Sequence, residues 1–170
     1  LMGYKAIEMI ITGYQKLVKE GMDKLPELMG DFLTASNMAG FAFGTAGCAA
    51  VHAMSYPLGG TYHVPHGESN YAIFTGVLNK YMEKKQDGEI AHLNAYLAEL
   101  LHCDVKNVYD ELEKLLNNIL PKKPLHEYGV TKEDITTFTD NVIATQGRLT
   151  ANNFVPLSRE DMIDIYSKLY

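Results

Sequence analysis

The chain has 170 residues, of which 46% are hydrophobic and 21% charged, enough to bury one core without a second domain. Twenty-one acidic residues against 15 basic ones give a net charge of -6, and the basic doublets Lys84-Lys85 and Lys122-Lys123 stand far apart. That balance argues against nucleic acid or an anionic membrane surface as partner.

The chain opens at Leu1 with no charged segment followed by an apolar run and a small-residue cleavage site, and its first residues already read as helix. It is expected to be a piece of something longer. Tyr4 to Lys19 carries Ile7, Ile10, Ile11, Tyr14, Leu17 and Val18 at helical spacing, and Gly21 ends the pattern. Asp23 to Gly47 holds a second helix, with Pro26 tolerable near its start. Ala39, Gly40, Ala42, Gly44 and Ala46 give it a side-chain-poor flank where another backbone can lie close. The apolar stretch from Met38 to Met54 is broken by Thr45 and His52 and falls short of a membrane span.

A third helix is predicted from Cys48 to Ser55, with a tight loop over 56–65, because Pro57, Gly59, Gly60 and Pro65 crowd there. A new helix opens at His66-Gly67-Glu68 and runs through Tyr81. Further helical patterns cover Glu89 to Leu101 and Val105 to Leu120, and Pro121 and Pro124 mark the next connection. Thr131-Lys132-Glu133-Asp134 and Ser158-Arg159-Glu160-Asp161 fit Ser/Thr-x-x-acidic starts for the last two helices. No strand-length alternation, no repeat and no glycine-rich nucleotide turn occurs. The prediction is an all-α, multi-helix bundle over residues 1–170 with no internal linker. Cys48 and Cys103 lack Cys-x-x-Cys spacing, so no disulfide is expected and a reducing cytoplasm is the simpler setting.

The chemically informative stretch is His52 to Gly67. Two imidazoles flank a proline-stiffened turn, one on each side. Neutral imidazole is a good ligand for zinc or ferrous iron, and a stiff turn lowers the cost of ordering two ligands together. A catalytic ion takes three or more protein ligands, so at least one must come from elsewhere. On spacing alone, His52 reads more readily as a hydrogen-bonded core residue than as a ligand, and His66 equally as a polar residue near a helix start, so metal binding is the minority reading. His63, His92, His102 and His126 read as surface or helix-end residues, and Glu111, Glu113, Glu133 and Asp134 as solvated or helix-starting acids.

The segment Ala39-Gly40-Phe41-Ala42-Phe43, then Gly47, His52-Ala53-Met54, Pro57-Leu58-Gly59-Gly60 and Pro65-His66-Gly67 with Asn70, closely resembles the signature of the iron-dependent (group III) alcohol dehydrogenases. Ser158-Arg159-Glu160-Asp161 with Ile165-Tyr166 resembles the last helix of that family. The resemblance implies the C-terminal metal-binding domain of a two-domain dehydrogenase, covering somewhat under half of a typical member. It implies His52 and His66 as ligands of Fe2+ or Zn2+, with an Asp and a His spaced i, i+4 expected before Leu1. NAD(H) is expected to bind mainly to a missing N-terminal domain, so an isolated 170-residue product is expected to be inactive.

Tyr56 and the Thr61 to Asn70 run resemble the members that act on 4-hydroxybutyrate, which implies its interconversion with succinate semialdehyde. Tyr56 stands where many relatives carry a further His, and a Tyr hydroxyl can still donate a hydrogen bond or relay a proton. Asn153-Phe154-Val155 replaces the family's Asn-Pro-Arg and removes an arginine. The partner is then a small-molecule alcohol or aldehyde, and the sequence neither requires nor excludes a homo-oligomer. The competing expectation is a noncatalytic, metal-stabilised helical interaction module.

Overall fold

The computed structural model describes residues 1–170 and consists of helices and turns, with no strand. The all-α reading holds. No helix is long and apolar enough to cross a membrane. The chain divides into two compact units, Leu1–Gly47 with Ala91–Pro121, and Cys48–Ile90 with Lys122–Tyr170, a division that no linker in the sequence marks.

The first unit contains α1 (Met2–Glu20), α2 (Leu25–Ala46), most of α5 (Glu89–Leu101) and α6 (Val108–Ile119). Gly21, at φ 106°, stops α1 as the sequence predicts, and a short 3-10 turn over Met22–Lys24 leads into α2. Helix α1 packs on α2 and α6 through Ile11, Leu17, Leu28 and Leu112, all buried. Gly13 is needed there, since a Cβ would stand 2.7 Å from the Phe32 ring. Asn94 is buried and accepts a hydrogen bond from the Tyr109 hydroxyl at 2.8 Å, as a polar group out of water must.

The small-residue flank of α2 is approached at Ala42 and open at Gly40 and Gly44. Gly40 and Gly44 have nothing within 4 Å of where a Cβ would be, while the Ala42 side chain lies 3.5 Å from the Cβ position of Gly3 in α1. Small side chains permit a close neighbour but do not compel one.

The second unit holds α3 (Ala50–Tyr62), α4 (His66–Lys84), α7 (Lys132–Thr145), α8 (Gly147–Thr150) and α9 (Arg159–Leu169). Helix α3 packs on α4 and α7, and α9 packs on α4 and α7. The core between them is Met54, Leu58, Ile73, Val77, Phe138, Val142, Ile165 and Tyr166. Burying one such large side chain contributes roughly 1.5–3 kcal/mol. Both predicted capping boxes form. The Thr131 hydroxyl accepts from the Asp134 N–H and that of Ser158 from the Asp161 N–H.

Asn153 and Phe154, the departures from the family motif, serve packing. The Tyr81 hydroxyl donates to Asn153 Oδ1 at 3.1 Å, and the Phe154 ring meets the Tyr81 ring edge-on with centroids 6.0 Å apart. Burial pushes the Tyr81 hydroxyl up to about 12, partly offset by hydrogen bonds from the Ala50 and Phe154 backbone.

The expected loop over 56–65 is wrong. Helix α3 continues through Pro57, Gly59 and Gly60 to Tyr62, and the true connection is His63 to Pro65. Proline removes one donor from a helix and crowds the preceding turn. Pro57 leaves the Ala53 carbonyl without its helical donor; beside it, the buried Tyr166 hydroxyl of α9 donates to the neighbouring Met54 carbonyl at 2.6 Å and ties this stretch of α3 to the core. At its far end the Tyr62 hydroxyl donates to Asp134 at 2.6 Å. The stop comes at His63, whose φ of 55° is left-handed. A Cβ on Gly59 would meet the Val64 carbonyl at 3.4 Å, an ordinary contact, so the return of the chain here does not depend on glycine.

Candidate metal centre

The turn from α3 to α4 sets His52 and His66 side by side. His52 is in the first turn of α3 and His66 is the first residue of α4. The Ser69 hydroxyl ties the connection down, within 3.0 Å of the Val64 carbonyl and 3.1 Å of that of Pro65. The two imidazole centres are 5.3 Å apart with planes at 53°. Tyr56 lies one turn beyond His52, its ring centre 6.4 Å from that of His66. It is 43% exposed, so its hydroxyl can meet a small molecule. His66 is exposed and His52 half-buried. Burial, and secondarily the neighbouring His66, hold His52 below the usual imidazole value, which keeps its ring neutral and its lone pair free.

A nitrogen bound to a metal at about 2.1 Å puts its ring centre about 3.2 Å from the ion, and two such rings at a tetrahedral angle stand about 5.3 Å apart. The observed separation is close enough for two imidazoles to approach one ion. Among residues 1–170 no group of three His, Cys, Asp or Glu side chains gathers at ligand distance. Glu68 is the nearest acid in sequence but is engaged elsewhere, accepting from the Tyr128 hydroxyl at 3.0 Å with Lys123 at 3.8 Å.

Sequence reasoning gave Ser55 and Asn70 no role, yet they brace the site. The Ser55 hydroxyl lies 2.9 Å from Asn70 Oδ1 and 3.0 Å from the His52 carbonyl. The Asn70 amide nitrogen donates to the His66 carbonyl at 3.0 Å and meets His66 Nε2 at 3.0 Å. Their spacing, three residues after His52 and four after His66, is the signal that could have found them. The remaining histidines stand apart. His63, His92, His102 and His126 are all exposed, and His102, like His63, is left-handed at a helix end, with φ 54°.

Comparison with known proteins agrees over the entire length. The model of the Fe-containing alcohol dehydrogenase family, C-terminal, matches residues 1–170. A 4-hydroxybutyrate dehydrogenase of Clostridium kluyveri is 51% identical over 98% of this chain and 45% of its own length. Alcohol dehydrogenase 4 of Saccharomyces cerevisiae is 31% identical over 98% of this chain and 42% of its own. A solved archaeal alcohol dehydrogenase from a Red Sea brine pool superposes with a TM-score of 0.86 at 24% identity, covering 99% of this chain and 44% of that one, a likeness of fold. The chain thus spans under half the length of these relatives. It belongs to the iron-containing alcohol dehydrogenase family, as the all-helical C-terminal domain.

Proposed function

We propose that this chain is the metal-holding half of an NAD(H)-dependent dehydrogenase that interconverts 4-hydroxybutyrate and succinate semialdehyde. The observation that carries the proposal is the pair of imidazoles with centres 5.3 Å apart, presented from the first turn of α3 and the start of α4. The substrate rests on the 51% identity to a 4-hydroxybutyrate dehydrogenase.

His52 and His66 hold a divalent ion, Fe2+ or Zn2+, since imidazole serves both. Completing its shell takes ligands from outside these 170 residues. A bound ion supplies charge stabilisation for the alkoxide oxygen, and a nicotinamide, bound mainly outside this chain, supplies the hydride chemistry. The chain's own contribution is to keep His52 neutral by burial and to withhold the Glu68 carboxylate by pairing it with Tyr128 and Lys123. Tyr56 stands on the exposed side of the pair, where its hydroxyl donates a hydrogen bond to the substrate oxygen or relays its proton. Free Cys48 and Cys103 suit a reducing cytoplasm.

The complete protein, supplied with metal, should oxidise NADH when given succinate semialdehyde, whereas the isolated 170-residue chain should not. Tyr56→Phe should keep its metal while lowering kcat or shifting its pH profile. Turnover of other aldehydes but not this one would remove the substrate assignment. No turnover of any aldehyde would remove the dehydrogenase reading.

A further inference from the structure

We infer that the exposed apolar face of α2 is the docking surface for the polypeptide that precedes this domain in the complete protein. The inference goes beyond the metal-holding role proposed above and does not depend on it.

From Phe32 to Ala46 the helix carries no charged residue, yet in that stretch only Ala35 is buried. A helix face turned to water normally carries charged and polar side chains, so this stretch is built to be covered. Helix α1 covers one side of α2. Leu28 and Ala35 are buried there, and Ala42 lies 3.5 Å from the Cβ position of Gly3, a seam repeating every seven residues as in two packed helices. Met29, Leu33, Gly40 and Gly44 share a different face at helical spacing, with Phe41 and Phe43 on either side of it. Leu33 is 73% exposed and Phe41 67%, and Met29 and Phe43 are each more than half exposed. Large apolar side chains gathered on one exposed face mark an interaction surface. The open Gly40 and Gly44 positions leave hollows between them that side chains of a partner can enter.

More than half the length of the relatives lies outside the matched region, and the matched family model is that of a C-terminal domain. The preceding polypeptide therefore arrives at α1, whose start lies beside Ala42, within the uncharged stretch itself. A tethered segment meets the face at an effective concentration that is roughly millimolar for a short connection, whereas a second copy must reach it from dilute solution. The stretch also has no lysine or arginine with which to meet an anionic lipid surface.

The test uses the complete protein with p-benzoylphenylalanine in place of Leu33 or of Phe43, irradiated, digested and read by mass spectrometry. Adducts to peptides that precede Leu1 are expected at both positions. In parallel, Leu33→Cys and Phe43→Cys should react with a maleimide at least about tenfold more slowly in the folded complete protein than in denaturant, since a covered side chain reacts only through local opening. Peptide masses separate these sites from Cys48 and Cys103. Equal rates in the folded and unfolded protein would mean that the face is open to water and would overturn the inference. Adducts joining two copies, adducts only within residues 1–170, or no adduct at all would overturn it too. Neither readout involves metal or turnover, so loss of the metal-holding role would leave the inference standing.

Discussion

Helices of the second unit begin in two ways. Helices α7 and α9 start on Thr131 and Ser158, each closing a full capping box. Helices α3 and α4, which carry the two histidines, start on Ala49 and Pro65, with no side-chain cap at either. A capped start satisfies backbone N–H groups within the protein, whereas an uncapped one leaves them to water or a ligand. Local stability is thus placed at the starts distant in sequence from the candidate site, and the starts that bear it are left open.

This contrast can be broken from its stable side. The largest effect is expected from Tyr166→Phe, which removes the buried hydrogen bond to the Met54 carbonyl and should cost about 1–3 kcal/mol. Chemical denaturation of the variant measures it, and an unchanged midpoint would mean that this tie between α3 and α9 contributes nothing to stability. Thr131→Ala and Ser158→Ala should each cost about 1 kcal/mol and leave metal content untouched. Metal loss in either would erase the distinction between the two kinds of helix start.

The smallest effect is a pH dependence. The Tyr62 hydroxyl, helped by Thr131, holds the Asp134 carboxyl below its ordinary value of 3.8. A depressed carboxyl contributes stability that is complete above the unfolded value and is lost as pH falls through the folded one. Asp134→Asn should therefore differ from the unaltered protein in thermal midpoint at neutral pH, and the difference should close as pH drops below about 4. A difference that persists into strong acid would show that the carboxylate charge is not what stabilises the start of α7.

The two sides of the contrast were unequally legible in the sequence. The capping boxes are local, three residues wide, and were readable from Thr131-x-x-Asp134 and Ser158-x-x-Asp161 alone. So were α1, with Gly21 as its stop, and the periodic helices α5 and α6. The reach of α3 past Pro57 was not, because proline and paired glycines read locally as helix breakers, while contacts that hold this helix, such as the Tyr166 hydroxyl on Met54 112 residues away, form only in the folded core. His52 and His66 were found through the family signature, since two histidines across a turn do not by themselves choose between ligand and ordinary polar residue. The Ser55 to Asn70 brace joins residues 15 apart, and its hydrogen bonds exist only once α3 and α4 pack.

The central claim is that one metal ion sits between His52 and His66, and elemental analysis of purified complete protein tests it most directly. His52→Ala and His66→Ala should each be depleted of metal, with affinity lowered by at least about 10- to 100-fold, while the control His92→Ala keeps its full complement. Full metal occupancy in both His52→Ala and His66→Ala would contradict the account.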